Sequence, residues 1–369
     1  MVEKFRVGII GLGMIGTVHL HALRRIPGVT VTAVAHTNRQ KLDEIQAAYD
    51  IKHTFTDWRQ LVASEDVDVV HNCTPNHLHL EINEACLRAG KAVFSEKPLG
   101  LNRDETKAMA ALAQELNLPA GVNFNYRYFP AVQWAKHLIY AGELGEIRAV
   151  HGHYLQDWLM YEDDFNWRVD SAKGGPARAL GDIGTHWLDL AQYLVGQRVE
   201  RVFADLGTMI PRRKDPETEA WVEVDTEDWA SALLQFSGGI KGNFTVSQIS
   251  GGHKNDLEIE VVGSKASLRW RQEDPELLWI GRRGGVNEIR YKEPSVFSAE
   301  LLDFASVPAG HVEGYGDCVL NSISNFYSNI RTSQTNYPTF AWGHWITKLT
   351  AALIESSRAG AWITCEPDF

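Results

Sequence analysis

The stretch that most narrows what this chain can become lies near its start. Residues 5–10 (FRVGII) are mostly apolar and β-branched, the pattern of a buried parallel strand. Gly11, Gly13 and Gly16 follow at the G-x-G-x-x-G spacing, and a helical stretch begins at once. Each glycine has its own physical task. Gly11 permits a tight turn, Gly13 lets backbone approach a pyrophosphate, and Gly16 lets the helix pack close to the strand. The helix then points its N-terminal N–H groups and positive dipole end at that pyrophosphate. Between a strand and a helix, at the head of an α/β pattern, the motif points to dinucleotide binding rather than to a structural glycine turn. Met14 and Ile15 then fall in the cofactor cradle.

The α/β alternation continues. Residues 29–35 (VTVTAVA) read as a second strand. In the simplest dinucleotide domain an Asp or Glu ends this strand and holds the adenosine ribose diol. Here His36 stands there, followed by Thr37, Asn38 and Arg39. Without a carboxylate a 2′-phosphate is not repelled, and Arg39 is placed to pair with one. Alternatively Asn38 or Thr37 meets the diol and Arg39 is solvated, so NAD and NADP both stay open. Residues 40–49 read as a helix and 57–63 as a short one with Asp57 as N-cap. A strand over 67–73 runs into Thr74, Pro75 and Asn76, and His77 and His79 open the next helix. Residues two apart on a helix do not share a face, which argues against a His-x-His metal pair. His79 is a candidate for the cofactor ribose, against a reading that leaves both histidines on solvated surface. Residues 92–95 form a strand closed by Glu96-Lys97-Pro98. A lysine at the carboxyl end of a parallel strand lies where ligands bind in open α/β sheets, and Pro98 restricts Lys97 to an extended conformation. The competing reading is a surface Lys97 paired to Glu96. A helix over 102–117 and a strand over 120–125 complete a first domain of residues 1–125.

Beyond it the pattern changes. Longer alternating strands fall at 146–156, 199–206, 227–236, 240–250, 256–262 and 266–271. Alternating strands in succession without helices between them predict an antiparallel or mixed sheet with one covered face. Residues 126–369 are therefore an α+β domain, with helices near 314–330 and 339–358 packing back across the domains. A length of 369 residues also asks for two domains. The net charge of −11 argues against nucleic acid or an anionic membrane as partner, and no stretch is long enough to span a bilayer. Cys73, Cys86, Cys318 and Cys365 form no C-x-x-C pair, which predicts a reducing compartment and no structural zinc. The N-terminal apolar run is the dinucleotide strand rather than a signal peptide, and a cytoplasmic location is expected.

The stretch over 174–189 is the richest in chemistry. Asp182 and His186 are spaced i, i+4, side by side on a helix. A carboxylate beside an imidazole raises its pKa and orients it, which suits a proton acceptor for a hydroxyl. Taking that proton while hydride leaves the same carbon is the proton half of an alcohol dehydrogenation. The nicotinamide does the redox work and the protein positions and deprotonates. The blander alternative is Asp182 as helix N-cap and His186 as a satisfied core histidine.

The G-x-G-x-x-G at 11–16, Glu96-Lys97-Pro98 and Gly181-Asp182-Ile183-Gly184-Thr185-His186 with Asp189 resemble the signatures of the glucose–fructose oxidoreductase/inositol dehydrogenase (Gfo/Idh/MocA) family. The resemblance covers essentially the whole chain. It implies a Rossmann domain followed by a domain with a large, mostly antiparallel sheet, one face of which commonly supports a dimer or tetramer. It implies that Lys97 holds and polarises the reacting hydroxyl, that His186 is the general base in oxidation, and that Asp182 tunes His186 and contacts substrate. Thr74, Asn76, Glu96 and Asn125 resemble cofactor-lining positions. His36 departs from the Asp that NAD-dependent members often carry.

For the substrate, residues 157–170 hold Asp157, Trp158, Tyr161, Asn166, Trp167 and Arg168 between a strand and the Asp182/His186 segment. Rings for the apolar faces of a pyranose and polar groups for its hydroxyls are what a sugar site needs. Arg127 joins these as a candidate substrate residue. Arg168, Lys173 and Arg178 cluster in an acidic chain, and arginine suits a carboxylate or phosphate, so an anionic sugar is open. Against it, Arg168 pairs with Asp164 or Asp170 and Lys173 is solvated. The leading function is a nicotinamide-dependent sugar, polyol or cyclitol dehydrogenase without a metal. The same residues also suit a redox-neutral glycosidase with retained NAD, working by oxidation, elimination, hydration and re-reduction. A non-catalytic sensor fits poorly with intact Lys97, Asp182 and His186, and a biliverdin- or amino-acid-type reductase is more distant still.

Overall fold

The computed structural model describes residues 4–369. They form two units, one of residues up to Asn125 with Tyr315–His344, the other of Tyr126–Gly314 with Trp345–Phe369.

The first unit is a parallel sheet of β1 (Phe5–Ile10), β2 (Val29–Ala35), β3 (His53–Phe55), β4 (Val69–Asn72), β5 (Ala92–Ser95) and β6 (Ala120–Val122), in the order β3-β2-β1-β4-β5-β6. Val7, Ile9, Val34, Val70 and Val93 are fully buried, as expected of strands covered on both faces. The order reverses between β1 and β4, the switch point at which such sheets open a crevice. Register fixes what meets there. Ile10 pairs with Asn72, Asn72 with Ser95 and Ser95 with Val122, so four strands end in line. The segments starting at Gly11, Cys73, Glu96 and Asn123 therefore leave the sheet side by side. The helices α1 (Met14–Leu23), α2 (Arg39–Tyr49), α3 (Trp58–Ala63), α4 (His79–Arg88) and α5 (Arg103–Glu115) connect the strands. Asn38, Asp57 and Asn102 cap α2, α3 and α5 through their side chains.

The sequence pattern assigns 126–369 to the second domain; in the structure Tyr315–His344 belongs with the first unit. The reason is an apolar stripe on the Tyr315–Arg331 helix. Val319, Ile323, Phe326 and Tyr327 are buried at helical spacing, and Phe326 packs 4.9 Å from Phe94 of β5. Arg25 of α1 pairs with Asp317 at 3.1 Å.

The second unit is built on a nine-stranded sheet. In chain order its strands are β7 (Ile147–Leu155), β8 (Val199–Gly207), β11 (Trp229–Phe236), β12 (Lys241–Ser247), β13 (Asp256–Gly263), β14 (Ser267–Arg271), β15 (Leu277–Gly281), β16 (Glu288–Tyr291) and β17 (Ile363–Thr364), with a separate hairpin of β9 (Arg212–Lys214) and β10 (Trp221–Glu223). The spatial order is β16-β15-β14-β13-β7-β12-β11-β8-β17, and β7–β12 is the parallel pair in an otherwise antiparallel sheet. Alternation separates two faces. Ala230, Ala232, Leu234 and Phe236 of β11 are buried, and Trp187 of the Thr185–Val195 helix stacks on Phe244 at 4.7 Å. On the other face Leu233, Asn243, His151, Glu260, Arg269, Trp279 and Ile289 lie in lateral register across seven strands, and none of them is buried.

Candidate active site

In the first unit the turn after β1 has the geometry its glycines predict. Gly11 adopts φ +90°, and a Cβ there would meet the Cys73 carbonyl oxygen at 2.6 Å. A Cβ on Gly16 would sit 1.9 Å from the Gly11 oxygen, so α1 crosses the turn too closely for any side chain. Gly13 is the opposite case, with nothing within 4 Å of a Cβ. That is open space at the start of α1, a helix whose N-cap has no side-chain hydrogen bond and whose exposed Met14 flanks the opening. The cradle fits a dinucleotide pyrophosphate: two glycines shape it and the third leaves room.

Around the neighbouring strand ends the predicted residues divide. Thr74 donates its hydroxyl to Asn72 Oδ1 at 2.7 Å, and Asn76 opens a short helical turn. His36 is half-buried and its Nδ1 accepts from the Asn38 amide at 2.9 Å; burial, then Lys41, lowers its pKa. Thr37 is exposed. Arg39, the candidate for a 2′-phosphate, pairs with Asp43 at 2.9 Å in solvent. Asn38 Oδ1 is taken by the Lys41 amide as the α2 cap.

One expectation fails here. His79 is not on solvated surface. It is fully buried, its Nδ1 2.8 Å from the Pro98 carbonyl and its Nε2 2.9 Å from the Thr74 carbonyl, so it ties two strand-end loops together. Its place at the head of α4, beneath the crevice rim, takes it out of contact with solvent. Glu96 also turns inward. It is 7% exposed, and Oε1 accepts from His19 Nε2 at 3.0 Å and Asn123 Nδ2 at 2.7 Å. Lys97 follows it half-buried, its amide directed at Glu96 Oε2. Asn125 is buried, with Nδ2 3.2 Å from Cys318 Sγ.

In the second unit Asp182 and His186 lie on one continuous helical segment that begins with a π-helical turn, Leu180–Gly184, and becomes regular from Thr185 to Val195. Such wide turns recur at functional sites because they re-aim side chains. Asp182 faces Gln248 Nε2 at 2.9 Å and Arg168 Nε at 3.3 Å, so its carboxylate is shared with two partners the spacing did not announce. His186 is 5% exposed, edge-on to Tyr126 at 4.6 Å and tilted against Tyr154. Tyr126 and Tyr154 hydroxyls are 2.6 Å apart, and Asn255 links them to Gln156. Gln156, Gln248, Asn255 and Tyr154 escaped the sequence reading because neutral polar residues at strand ends carry no motif; the signal was their position at the ends of β7 and β12 and just before β13.

Several predicted substrate residues have other tasks. Arg127 is buried and forms a bidentate pair with Asp189 while stacking on Tyr193 at 4.7 Å. Arg178, a candidate for an anionic sugar, is 2% exposed and pairs instead with buried Asp228 at 3.3 Å. Arg168 pairs with Asp182, not with Asp164 or Asp170; Asp164 accepts from the Tyr161 amide, and Asp170 caps a turn and meets Lys173. Arg168 also lies 4.5 Å over the Trp167 ring. Asp157 is held below the usual carboxylate range by a hydrogen bond from Lys254, and Trp158 is 37% exposed with Nε1 donating to Gln156. Buried Arg213 fixes this insert through the carbonyls of Leu159, Tyr161 and Asp164. Among the described residues no group of three or more His, Cys, Asp or Glu side chains is placed to hold a metal ion, and no helix is long and apolar enough to cross a membrane.

Residues 5–124 match the oxidoreductase family with NAD-binding Rossmann fold, and residues 132–269 match the GFO/IDH/MocA C-terminal domain. The chain belongs to the GFO/IDH/MocA oxidoreductase family. Within that family it is 30% identical to levoglucosan dehydrogenase of Pseudarthrobacter phenanthrenivorans, over 98% of each chain. It is 27% identical to glucose-6-phosphate 3-dehydrogenase of Bacillus subtilis, over 92% of each. A levoglucosan dehydrogenase solved in complex with NADH and L-sorbose matches with a TM-score of 0.92 at 29% identity, covering 99% of this chain and 100% of that one. The chain is thus a GFO/IDH/MocA member with an NAD-binding Rossmann domain, in a family of sugar and polyol dehydrogenases.

Proposed function

We propose that this GFO/IDH/MocA chain oxidises a ring hydroxyl of a neutral sugar, polyol or cyclitol with NAD, using Lys97, Asp182 and His186. The observation that carries the reading is His186: an imidazole walled by Tyr126 and Tyr154 on the helical segment that also presents Asp182. The bound dinucleotide supplies the hydride acceptor. Lys97, with its ammonium, polarises the reacting hydroxyl. His186 takes the hydroxyl proton at an imidazole nitrogen, and the edge-on Tyr126 ring limits how the imidazole can turn. Asp182 holds the substrate and, through Arg168, the Trp167–Arg168 stack beside it. Thr74, Asn76 and Asn125 line the cofactor side.

A neutral substrate is favoured because the three cations that suggested an anion are engaged: Arg168 with Asp182, Arg178 with Asp228, Lys173 with Asp170. NAD is favoured over NADP because Arg39 is paired to Asp43. The open face of the sheet, with Leu233, Trp279 and Ile289 unburied, is the surface through which we expect a homodimer or homotetramer.

The test is a panel of levoglucosan, myo-inositol, glucose, glucose 6-phosphate, sugar acids and chromogenic glycosides, each with NAD+ or NADP+. NADH formation on neutral compounds is expected. Aglycone release without net reduction would replace this reading with the redox-neutral glycosidase, and preference for the acids or phosphate would sink the neutral assignment.

A further inference from the structure

Beneath Lys97 lies a buried chain of titratable groups that the proposed chemistry does not use. Glu96 Oε1 is 3.0 Å from His19 Nε2; His19 Nδ1 is 3.0 Å from His71 Nδ1; His71 Nε2 is 3.0 Å from the Tyr327 hydroxyl. His19, His71 and Tyr327 are all fully buried. A second arm reaches the same oxygen, with Ser322 donating to Asn123 Oδ1 at 2.9 Å and Asn123 donating to Glu96 at 2.7 Å.

Proton accounting gives this chain a direction. Burial pushes Glu96 up, but the hydrogen bond and charge of His19, the hydrogen bond from Asn123 and the charge of Lys97 outweigh it and hold the group below the usual carboxylate range. A carboxylate only accepts, so His19 Nε2 carries a proton. One proton is then shared between His19 Nδ1 and His71 Nδ1, and one between His71 Nε2 and the Tyr327 hydroxyl. Burial keeps His71 neutral and Tyr327 protonated. Every ring nitrogen of His19 and His71 has a partner at 3.0 Å. The far end is a fully buried tyrosine, so the chain leads nowhere a proton can leave and is not a conduit. Its other end does lead somewhere: Glu96 Oε2 accepts from the Lys97 amide at 3.3 Å.

We propose that His19, His71 and Tyr327 are positioning residues that lock the Glu96 carboxylate and, through the Lys97 amide, fix the backbone from which Lys97 reaches the substrate. This rests on the reading of Lys97 as the residue that polarises the hydroxyl. Small misplacement of such a group is costly, because reaction depends on near-attack geometry. Two substitutions at 19 separate size from hydrogen bonding: glutamine still donates to Glu96 and accepts from His71, whereas leucine does neither.

The experiment compares His19→Leu, His19→Gln, Tyr327→Phe and Lys97→Ala, reading kcat and KM for NAD+ with the best panel substrate and amide hydrogen exchange at Lys97 without substrate. His19→Leu is expected to lower kcat about tenfold with KM for NAD+ nearly unchanged and to speed exchange at Lys97, and His19→Gln to restore both. Unchanged exchange and kcat in His19→Leu, or equal damage from leucine and glutamine, overturns the proposal. If His19→Leu does not fold, Tyr327→Phe is read the same way, with a loss of about threefold expected and no change overturning. Lys97→Ala separates the two ideas: near-normal turnover there removes the assignment of Lys97 itself.

Discussion

Glu227 should make the stability of this protein fall as pH rises through neutrality. It is 5% exposed, and its Oε1 accepts from the amides of Arg178 and Leu180 at 2.9 and 2.8 Å, capping the helical segment that carries Asp182 and His186. Burial raises its pKa from 4.5 to about 7, outweighing those two amides and the Arg178 charge. The sign follows from proton binding. Between about pH 4.5 and 7 the unfolded chain gives up this proton while the folded chain keeps it, so the stabilisation present at acidic pH is lost across that window and the loss is complete above it. At about 1.4 kcal/mol per pH unit, the whole loss is about 3 kcal/mol. Glu227→Gln keeps an oxygen for both amides and removes the titration. Relative to the parent, the variant should therefore gain about 3 kcal/mol between pH 5 and pH 8.5, on the order of 6–10 °C in melting temperature for a unit of this size. The assay is differential scanning fluorimetry of both proteins across that range. All other titrations are common to the two, so their difference isolates Glu227. A melting-temperature difference constant to within about 1 °C from pH 5 to 8.5 would refute the reasoning.

The glycine cradle predicts a contrast: Gly13→Ala should fold normally and bind NADH more weakly, whereas Gly16→Ala, with its Cβ 1.9 Å from the Gly11 oxygen, should lower the melting temperature as well; fluorescence titration with NADH and a thermal melt separate them. Arg127→Met should cost about 3–5 kcal/mol of stability by depriving buried Asp189 of its bidentate cation, with KM for the sugar unchanged; a shifted KM with unaltered stability would restore Arg127 to the substrate site. Lys97→Ala and His186→Ala should each abolish turnover while NADH still binds, and near-normal turnover in either would dismiss that residue. Leu233→Lys on the open sheet face should shift the molar mass by light scattering towards monomer, and an unmoved mass would place the interface elsewhere.

What the sequence determined by itself was periodic or glycine-based. Strand and helix alternation marked the Rossmann unit because buried parallel strands are short apolar runs, and the three glycines of the cradle were assigned tasks that the φ of Gly11 and the clearances at all three match. Alternation likewise marked the mixed sheet, since one face is covered and the other is not. Tertiary structure alone decided where charge went. Arg127, Arg168 and Arg178 look alike in sequence, yet one grips Asp189, one grips Asp182 and one is sealed with Asp228. His19, His71 and His79 carry no motif that names their partners, because Glu96, Tyr327 and Pro98 lie 77, 256 and 19 residues away. A charged or polar side chain is defined by its partner, and partners 62 or 256 residues away, such as Asp189 for Arg127 and Tyr327 for His71, are brought together only by the tertiary fold.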